Sequence, residues 1–324
     1  MMLFITNRIP VQSARSKAGR AIRFDYQNTD VSKWLYFCER HGEHDYTEIL
    51  SSPFFDRLKA SPGHTQLLFY IHGFNNNMEP HVFHNAQRLE SLINNITPDL
   101  VKVIPLIWPC DDDSVVKIMD DYWDDQKAAD FSAIAFSRLL DKFDHWRRST
   151  EQQAVPCLKR MNLLAHSMGN RVLVNTLNYW VEGNGYEGVP MLFRNVFMVA
   201  PDVDNAVLES GHRGQHVLDS CKNTLVYYAS DDYAMPASKI ANLRHRMLSR
   251  RLGMTGPANP HLLPSNRVFS FDCDSFNNRF DYPTGHSYFL NDADGNISPI
   301  ISHIAQAIQF GRVSDTWEPL LVSA

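Results

Sequence analysis

Cysteine is scarce in this chain, with five in 324 residues, at Cys38, Cys110, Cys157, Cys221 and Cys273. They are scattered, odd in number and without paired spacing, which argues against a disulfide framework and against a zinc site. A block of basic residues is also missing. The nearest approach, residues 244–251, is interrupted by apolar side chains. With a formal net charge of −5, neither nucleic acid nor an anionic membrane is expected as a partner. No apolar run approaches the roughly 18 residues that a membrane span requires. The opening Met1-Met2-Leu3-Phe4-Ile5-Thr6-Asn7-Arg8 lacks a basic segment followed by a long apolar core, so it reads as a first strand rather than a secretory signal. A reducing, cytoplasmic setting is the expectation.

What the chain does have is an ordinary globular balance, 44% hydrophobic and 21% charged residues, and enough length to bury a large core. Residues 1–64 hold short β-like runs at 3–6 and 34–38 separated by polar stretches, an antiparallel lead-in. His41-Gly42-Glu43-His44-Asp45 within it matches no zinc spacing and reads as a polar surface loop. From Thr65 onward, strands alternate with helices, the pattern of a mostly parallel sheet covered on both faces. Continuous apolar runs at 66–71, 101–108, 161–165, 195–200, 224–229 and 267–271 predict buried strands. Helical spacing follows at 82–96, 121–146 and 171–180. A last helix starts at Ser298 as N-cap with Pro299 behind it and ends at Gly311. No repeat or linker interrupts the series, so one domain over 1–324 is expected. Residues 236–264 are less regular and form either a lid or pocket wall or an ordinary helix-plus-loop connection.

The stretch with most chemical content is Asn162-Leu163-Leu164-Ala165-His166-Ser167-Met168-Gly169-Asn170. A serine between a strand and a helix, with small residues two positions to either side, has the layout of a nucleophile elbow. The sharp turn needs those neighbours small, and here they are Ala165 and Gly169. A serine hydroxyl attacks only when a base takes its proton and a third group orients the base. In an open α/β sheet such partners stand past the carboxyl ends of strands. Asp231 and Asp232 end one strand, Asp202 and Asp204 another. Asp232 is preferred as the acid, because Tyr233-Ala234-Met235 after it resembles a turn into a helix; Asp231 is the main alternative. Asp202 and Asp204 serve equally well as caps of a following helix. His286, after the last strand in Thr284-Gly285-His286-Ser287, is the candidate base.

An oxyanion hole needs two backbone N–H groups aimed at the developing charge. Met168, at the helix start, is the first candidate. Phe74, in Tyr70-Ile71-His72-Gly73-Phe74-Asn75, is the second, since a His-Gly step lets the chain bend as it leaves a buried strand. Asn75–Asn77 would alternatively cap the next helix. Trp108, Tyr122 and Trp123 would either wall an apolar pocket or pack in the core.

Taken together, Tyr70-Ile71-His72-Gly73-Phe74-Asn75, Ile107-Trp108-Pro109, Ala165-His166-Ser167-Met168-Gly169-Asn170, Ala200-Pro201-Asp202-Val203-Asp204 and Gly285-His286-Ser287-Tyr288 resemble the α/β-hydrolase superfamily. More narrowly, they resemble a bacterial branch catalogued as hydrolases of unknown function. The resemblance implies an eight-stranded, mainly parallel sheet and a triad carried by Ser167, Asp232 and His286 in that chain order. It implies no substrate, because the same sheet hosts many chemistries. The expected activity is cleavage of a small carboxylic ester without a cofactor or metal. Thioester or amide cleavage by the same triad is the alternative, and a non-catalytic binding protein of this fold a more distant one.

Overall fold

The computed structural model describes residues 1–110, 118–232 and 250–317, with the side chains of 118–125 outside the description. A single nine-stranded sheet runs through it, in the order β3-β2-β1-β5-β4-β6-β7-β8-β9. The strands are β1 (Met2–Arg8), β2 (Val31–Gly42), β3 (Asp45–Glu48), β4 (Gln66–Ile71), β5 (Val101–Ile107), β6 (Met161–His166), β7 (Phe193–Val199), β8 (Cys221–Tyr228) and β9 (Val268–Asp272). β1 and β4 to β9 are joined by parallel pairings, while β2 pairs antiparallel with both β1 and β3. Apolar runs without alternation made β4 to β8 strands of this kind, because both of their faces are buried.

The sheet has nine strands where the resemblance implies eight. The addition is β3, Asp-Tyr-Thr-Glu, too short and polar to stand out as a run. It closes a hairpin whose turn is the Glu43-His44 stretch, with His44 at φ 57°. Alternation holds it to the sheet. Tyr46 turns inward onto the Phe4 ring at 5.4 Å, and Glu48 meets Arg20 at 2.6 Å.

Two helical layers cover the sheet. One contains α1 (Ser51–Lys59), α3 (Ile118–Arg147), α5 (Gly169–Asn184) and α6 (Gln215–Ser220) over a core that includes Phe54, Phe136, Leu163, Val172 and Met198. The other contains α2 (Phe83–Ile96) and α9 (Pro299–Phe310) over Phe4, Leu68, Phe197 and Leu225. Short helices α4 (Thr150–Ala154), α7 (Leu252–Thr255) and α8 (Asn277–Phe280) sit in the connections. No helix among the described residues is long and apolar enough to cross a membrane.

The buried face of α3 mixes small and large side chains, Ala128, Ala135 and Leu139 among them. Phe131 and Ile134 are 59% and 37% exposed, while Ala129, Ala133 and Phe136 are buried. Small residues let α3 approach α5 closely, and polar bonds fix the pairing. Arg171 grips Asp130 through two nitrogens at 2.8 and 2.7 Å, and the Trp180 indole donates to Asp141 at 2.8 Å.

α9 follows its sequence signals closely. Ser298 Oγ accepts the Ile300 N–H at 3.4 Å and donates to the Tyr288 carbonyl at 2.7 Å. Gly311 ends the helix at φ 65°. Ile300, Ile301, Ile304 and Ile308 are all buried, each worth roughly 1.5–3 kcal/mol. Ser298→Ala is therefore expected to lower the unfolding free energy by about 1–2 kcal/mol, through loss of the cap and of the partner of a buried carbonyl. A urea melt would show this as an earlier midpoint with an unchanged slope.

Candidate active site

β6 ends at His166 and α5 begins at Gly169, so Ser167 occupies the sharp bend between them. Its φ is 52°, in the left-handed region that costs a non-glycine residue free energy. The surroundings over-determine this conformation. Ser167 N–H donates to the Val199 carbonyl at 2.9 Å, and the Ser167 carbonyl accepts from the Asn170 N–H at 3.0 Å and the Asp202 N–H at 3.2 Å. The Asn170 amide reaches back to the carbonyls of Ala165 at 2.9 Å and Ser167 at 3.1 Å, so one side chain staples both arms of the bend. The need for a small residue at 169 is steric. A methyl group on Gly169 would lie 2.6 Å from the carbonyl oxygens of Ile71 and His72.

The chain leaving β4 packs against this bend. A methyl group on Gly73 would stand 2.9 Å from Ser167 Cβ and 3.0 Å from His166 Nδ1, so residue 73 lies directly on the serine. His72 braces the loop from below. Its Nε2 accepts the Trp108 N–H at 3.2 Å, which leaves Nδ1 protonated to donate to the Gly73 carbonyl at 2.8 Å. Burial drives the His72 pKa down to about 3, so the ring stays neutral and keeps that tautomer. Trp108 stacks on His72 with 5.1 Å between centroids, and its indole donates to the His72 carbonyl at 2.9 Å. Trp108 is thus a fully buried brace for the loop and not a pocket wall. Tyr122 and Trp123 lie outside the described side chains.

Phe74, one residue past Gly73, packs partly buried against the core, and its carbonyl accepts from the Asn76 amide at 2.6 Å. Asn75 has φ 57°, and Asn77 Oδ1 accepts from Arg8 at 3.2 Å. Asn77 stands at the N-cap position of the helical turn 78–82, but its side chain makes no capping bond there. Met168 is buried at the N-cap position of α5, where a backbone amide has no intrahelical partner. Met168 thus follows Ser167 directly, and Phe74 follows Gly73, the residue that lies against the serine.

Asp232 leaves β8 with its carboxylate buried and accepts from His286 Nδ1 at 2.6 Å. That bond puts the ring proton on Nδ1 and leaves Nε2 to accept a proton. Burial alone would lower the His286 pKa. The charge and hydrogen bond of Asp232, helped by Asp281 and Asp202, outweigh burial and raise it above the ordinary histidine value. The His286 ring stands near the elbow, 4.8 Å from the ring of His166, the residue before Ser167. Among the described residues no hydrogen bond joins the serine hydroxyl to His286, a contact that is often long before substrate binds.

The other carboxylates have different employment. Asp231 accepts from the amides of Asn277 at 2.6 Å and Asn278 at 2.5 Å, tying the end of β8 to α8 just before the His286 loop. Asp202 pairs with buried Arg251 at 3.1 Å. Asp204 accepts from the Ala206 N–H at 2.8 Å and caps a turn, with no helix following. Of the irregular segment 236–264, residues 236–249 and the Tyr233-Ala234-Met235 turn lie outside the description. The remainder is laid against the sheet edge. Gly253 N–H donates to the Pro201 carbonyl at 2.9 Å and its carbonyl accepts from the Ala229 N–H at 3.0 Å, tying α7 to the segments that follow β7 and β8. Among the described residues, no group of three or more His, Cys, Asp or Glu side chains is placed to hold a metal ion.

Two supports of the site were not singled out from the sequence. Asp281 Oδ2 accepts the N–H groups of His286 at 2.8 Å and Ser287 at 2.7 Å and the Thr284 hydroxyl at 2.7 Å. Its burial is outweighed by these bonds, which hold its pKa below the usual carboxylate value. The turn residues Pro283 and Gly285 after it were the available signal. The second is His166, inside the elbow motif itself.

A serine on a strained strand-to-helix bend, at the carboxyl edge of a mainly parallel sheet with helices on both faces, defines an α/β hydrolase. Residues 50–292, well over half of the chain and spanning Ser167, Asp232 and His286, match the model of a family described as alpha/beta hydrolase of unknown function (DUF900). The chain belongs to that family. No curated protein matches it significantly. Among solved structures it is similar to lipase B of Aspergillus fumigatus, with a TM-score of 0.40 and 12% identity over 78% of this chain and 56% of that one. It thus spans little more than half of that lipase. It is also similar to a hyperthermophilic esterase from the archaeon Pyrobaculum calidifontis, with a TM-score of 0.34 and 12% identity over 75% and 76% of the two chains.

Proposed function

We propose that the protein is a serine hydrolase that cleaves small carboxylic esters through an acyl-enzyme. The observation that supports this most is the 2.6 Å bond between the buried Asp232 carboxylate and His286 Nδ1, beside a serine held at φ 52°. In this reading His286 Nε2 takes the Ser167 proton as the oxygen attacks the acyl carbon. Asp232 holds the ring in the required tautomer and stabilises the imidazolium that forms. The Met168 and Phe74 amides receive the oxyanion in a setting screened from water. His286 then returns the proton to the leaving alcohol and activates a water that releases the acid.

The test is a panel of short-chain p-nitrophenyl esters, acyl-thioesters and anilides, with active-site titration by a fluorophosphonate probe. Ester turnover with a burst equal to the titrated serine is the expected result. Faster turnover of thioesters or anilides at equal chain length would move the assignment to thioesterase or amidase. Absence of both labelling and turnover would leave a binding protein of this fold.

A further inference from the structure

The loop that carries His286 has no regular secondary structure of its own, yet a general base needs placement to within a fraction of an ångström. Two side chains hold its main chain from opposite sides. Asp281 takes the His286 N–H, as described above. His166 takes the other end of the same residue, with its Nε2 3.2 Å from the His286 carbonyl oxygen. A carbonyl only accepts, so His166 Nε2 carries the ring proton. The His166 ring is buried between the ring of His286 at 4.8 Å and that of Phe289 at 4.9 Å. Gly73 closes the side facing Nδ1.

We propose that His166 is a positioning residue for His286, its Nε2–H holding the His286 carbonyl so that the imidazole stays against Asp232 and turned towards Ser167. The assignment rests on reading Ser167, Asp232 and His286 as a hydrolytic triad. It links the elbow to the histidine loop directly, because His166 and Ser167 are consecutive. Any shift in one is passed to the other through a single hydrogen bond. The ring is suited to the task by being permanently neutral. Burial first, then the charge of a protonated His286, push its pKa down to about 3 against the opposing pull of the His286 carbonyl and Asp281. The charged or titratable groups facing this pair come from several elements: His72 after β4, Asp202 after β7, Asp232 after β8 and Asp281 in the loop itself.

Two substitutions separate this role from simple space-filling. His166→Phe keeps an aromatic ring between Gly73 and Phe289 but removes the donor. His166→Gln removes the ring but sets an amide N–H near the position of Nε2. Both are compared with the native protein for p-nitrophenyl acetate hydrolysis across pH, for fluorophosphonate labelling, and for the His286 ring pKa by NMR. For His166→Phe, kcat is expected to fall on the order of 100-fold with KM little changed. The acidic limb of the profile and the NMR pKa of His286 should move down together, as the ring leaves the Asp232 charge. His166→Gln should recover most of kcat and return the limb to its native position. Native kcat and an unmoved limb in His166→Phe would overturn the positioning role while leaving the triad intact. Equal losses in both folded variants with an unmoved limb would overturn it too, as a packing effect. Should His166→Phe fail to fold, the glutamine variant decides, recovery supporting the role and loss in a folded protein overturning it. A native protein that neither labels nor hydrolyses ester overturns the triad reading and the positioning role with it.

Discussion

Ser167→Ala is expected to abolish fluorophosphonate labelling and to reduce ester turnover by on the order of 10⁶-fold in kcat, the scale seen when a triad nucleophile is removed. The size follows from the chemistry. Without the hydroxyl there is no acyl-enzyme, and what remains is water attack helped by the oxyanion amides and by binding. The substitution should leave the fold alone. The hydrogen bonds that fix the bend come from the Ser167 N–H and carbonyl and from the Asn170 amide, all of which survive in alanine. Alanine bears the same Cβ strain at φ 52°, so the melting temperature should match that of the native protein. Labelling that persists in Ser167→Ala would place the reactive nucleophile elsewhere and sink the assignment.

The fold was legible in the sequence wherever burial was two-sided. The apolar run at 66–71 announces β4, which has those bounds, and the Ser298 and Gly311 signals bracket α9. It was less legible where shape decides. β3 adds to the ladder of its pairing with β2 only one inward tyrosine and one ion pair, a pattern that no hydrophobic run reveals. α3 buries Phe136 and Leu139 beside its alanines and leaves Phe131 exposed, a choice between large side chains that a hydrophobic count does not make. The site divides in the same way. Ser167 and His286 stand out by residue type and position relative to strands. The roles of Asp281 and His166 depend on loop conformation, where a carboxylate meets two main-chain N–H groups and a ring nitrogen meets a carbonyl. Spacing along the chain carries no record of such contacts.

The adjacent aspartates show the limit most sharply, and they supply the second large prediction. Asp231 and Asp232 lie in the turn after β8, and their carboxylates find different partners. Asp232 meets His286 Nδ1 at 2.6 Å, and Asp231 meets the amides of Asn277 and Asn278. Asp232→Asn is therefore expected to lower kcat by about 10⁴-fold, because an amide at that place favours the wrong imidazole tautomer. The pH profile should change with a definite sign. His286 acts as a base only when unprotonated, and in the native protein its pKa is raised because Asp232 outweighs burial. Native activity should accordingly rise with pH through a midpoint above the ordinary histidine value of about 6.5. In Asp232→Asn the residual activity should rise at lower pH, since burial continues to oppose protonation while the main opposing charge is gone. Asp231→Asn should instead keep the native midpoint and lose stability, as the tie between β8 and α8 weakens. Asp202→Asn should remove the charge that pairs with buried Arg251 at 3.1 Å and cost stability first. A native rate and midpoint in Asp232→Asn, with the loss appearing in Asp231→Asn, would show that the loop rearranges on binding substrate and that the acid is the neighbour.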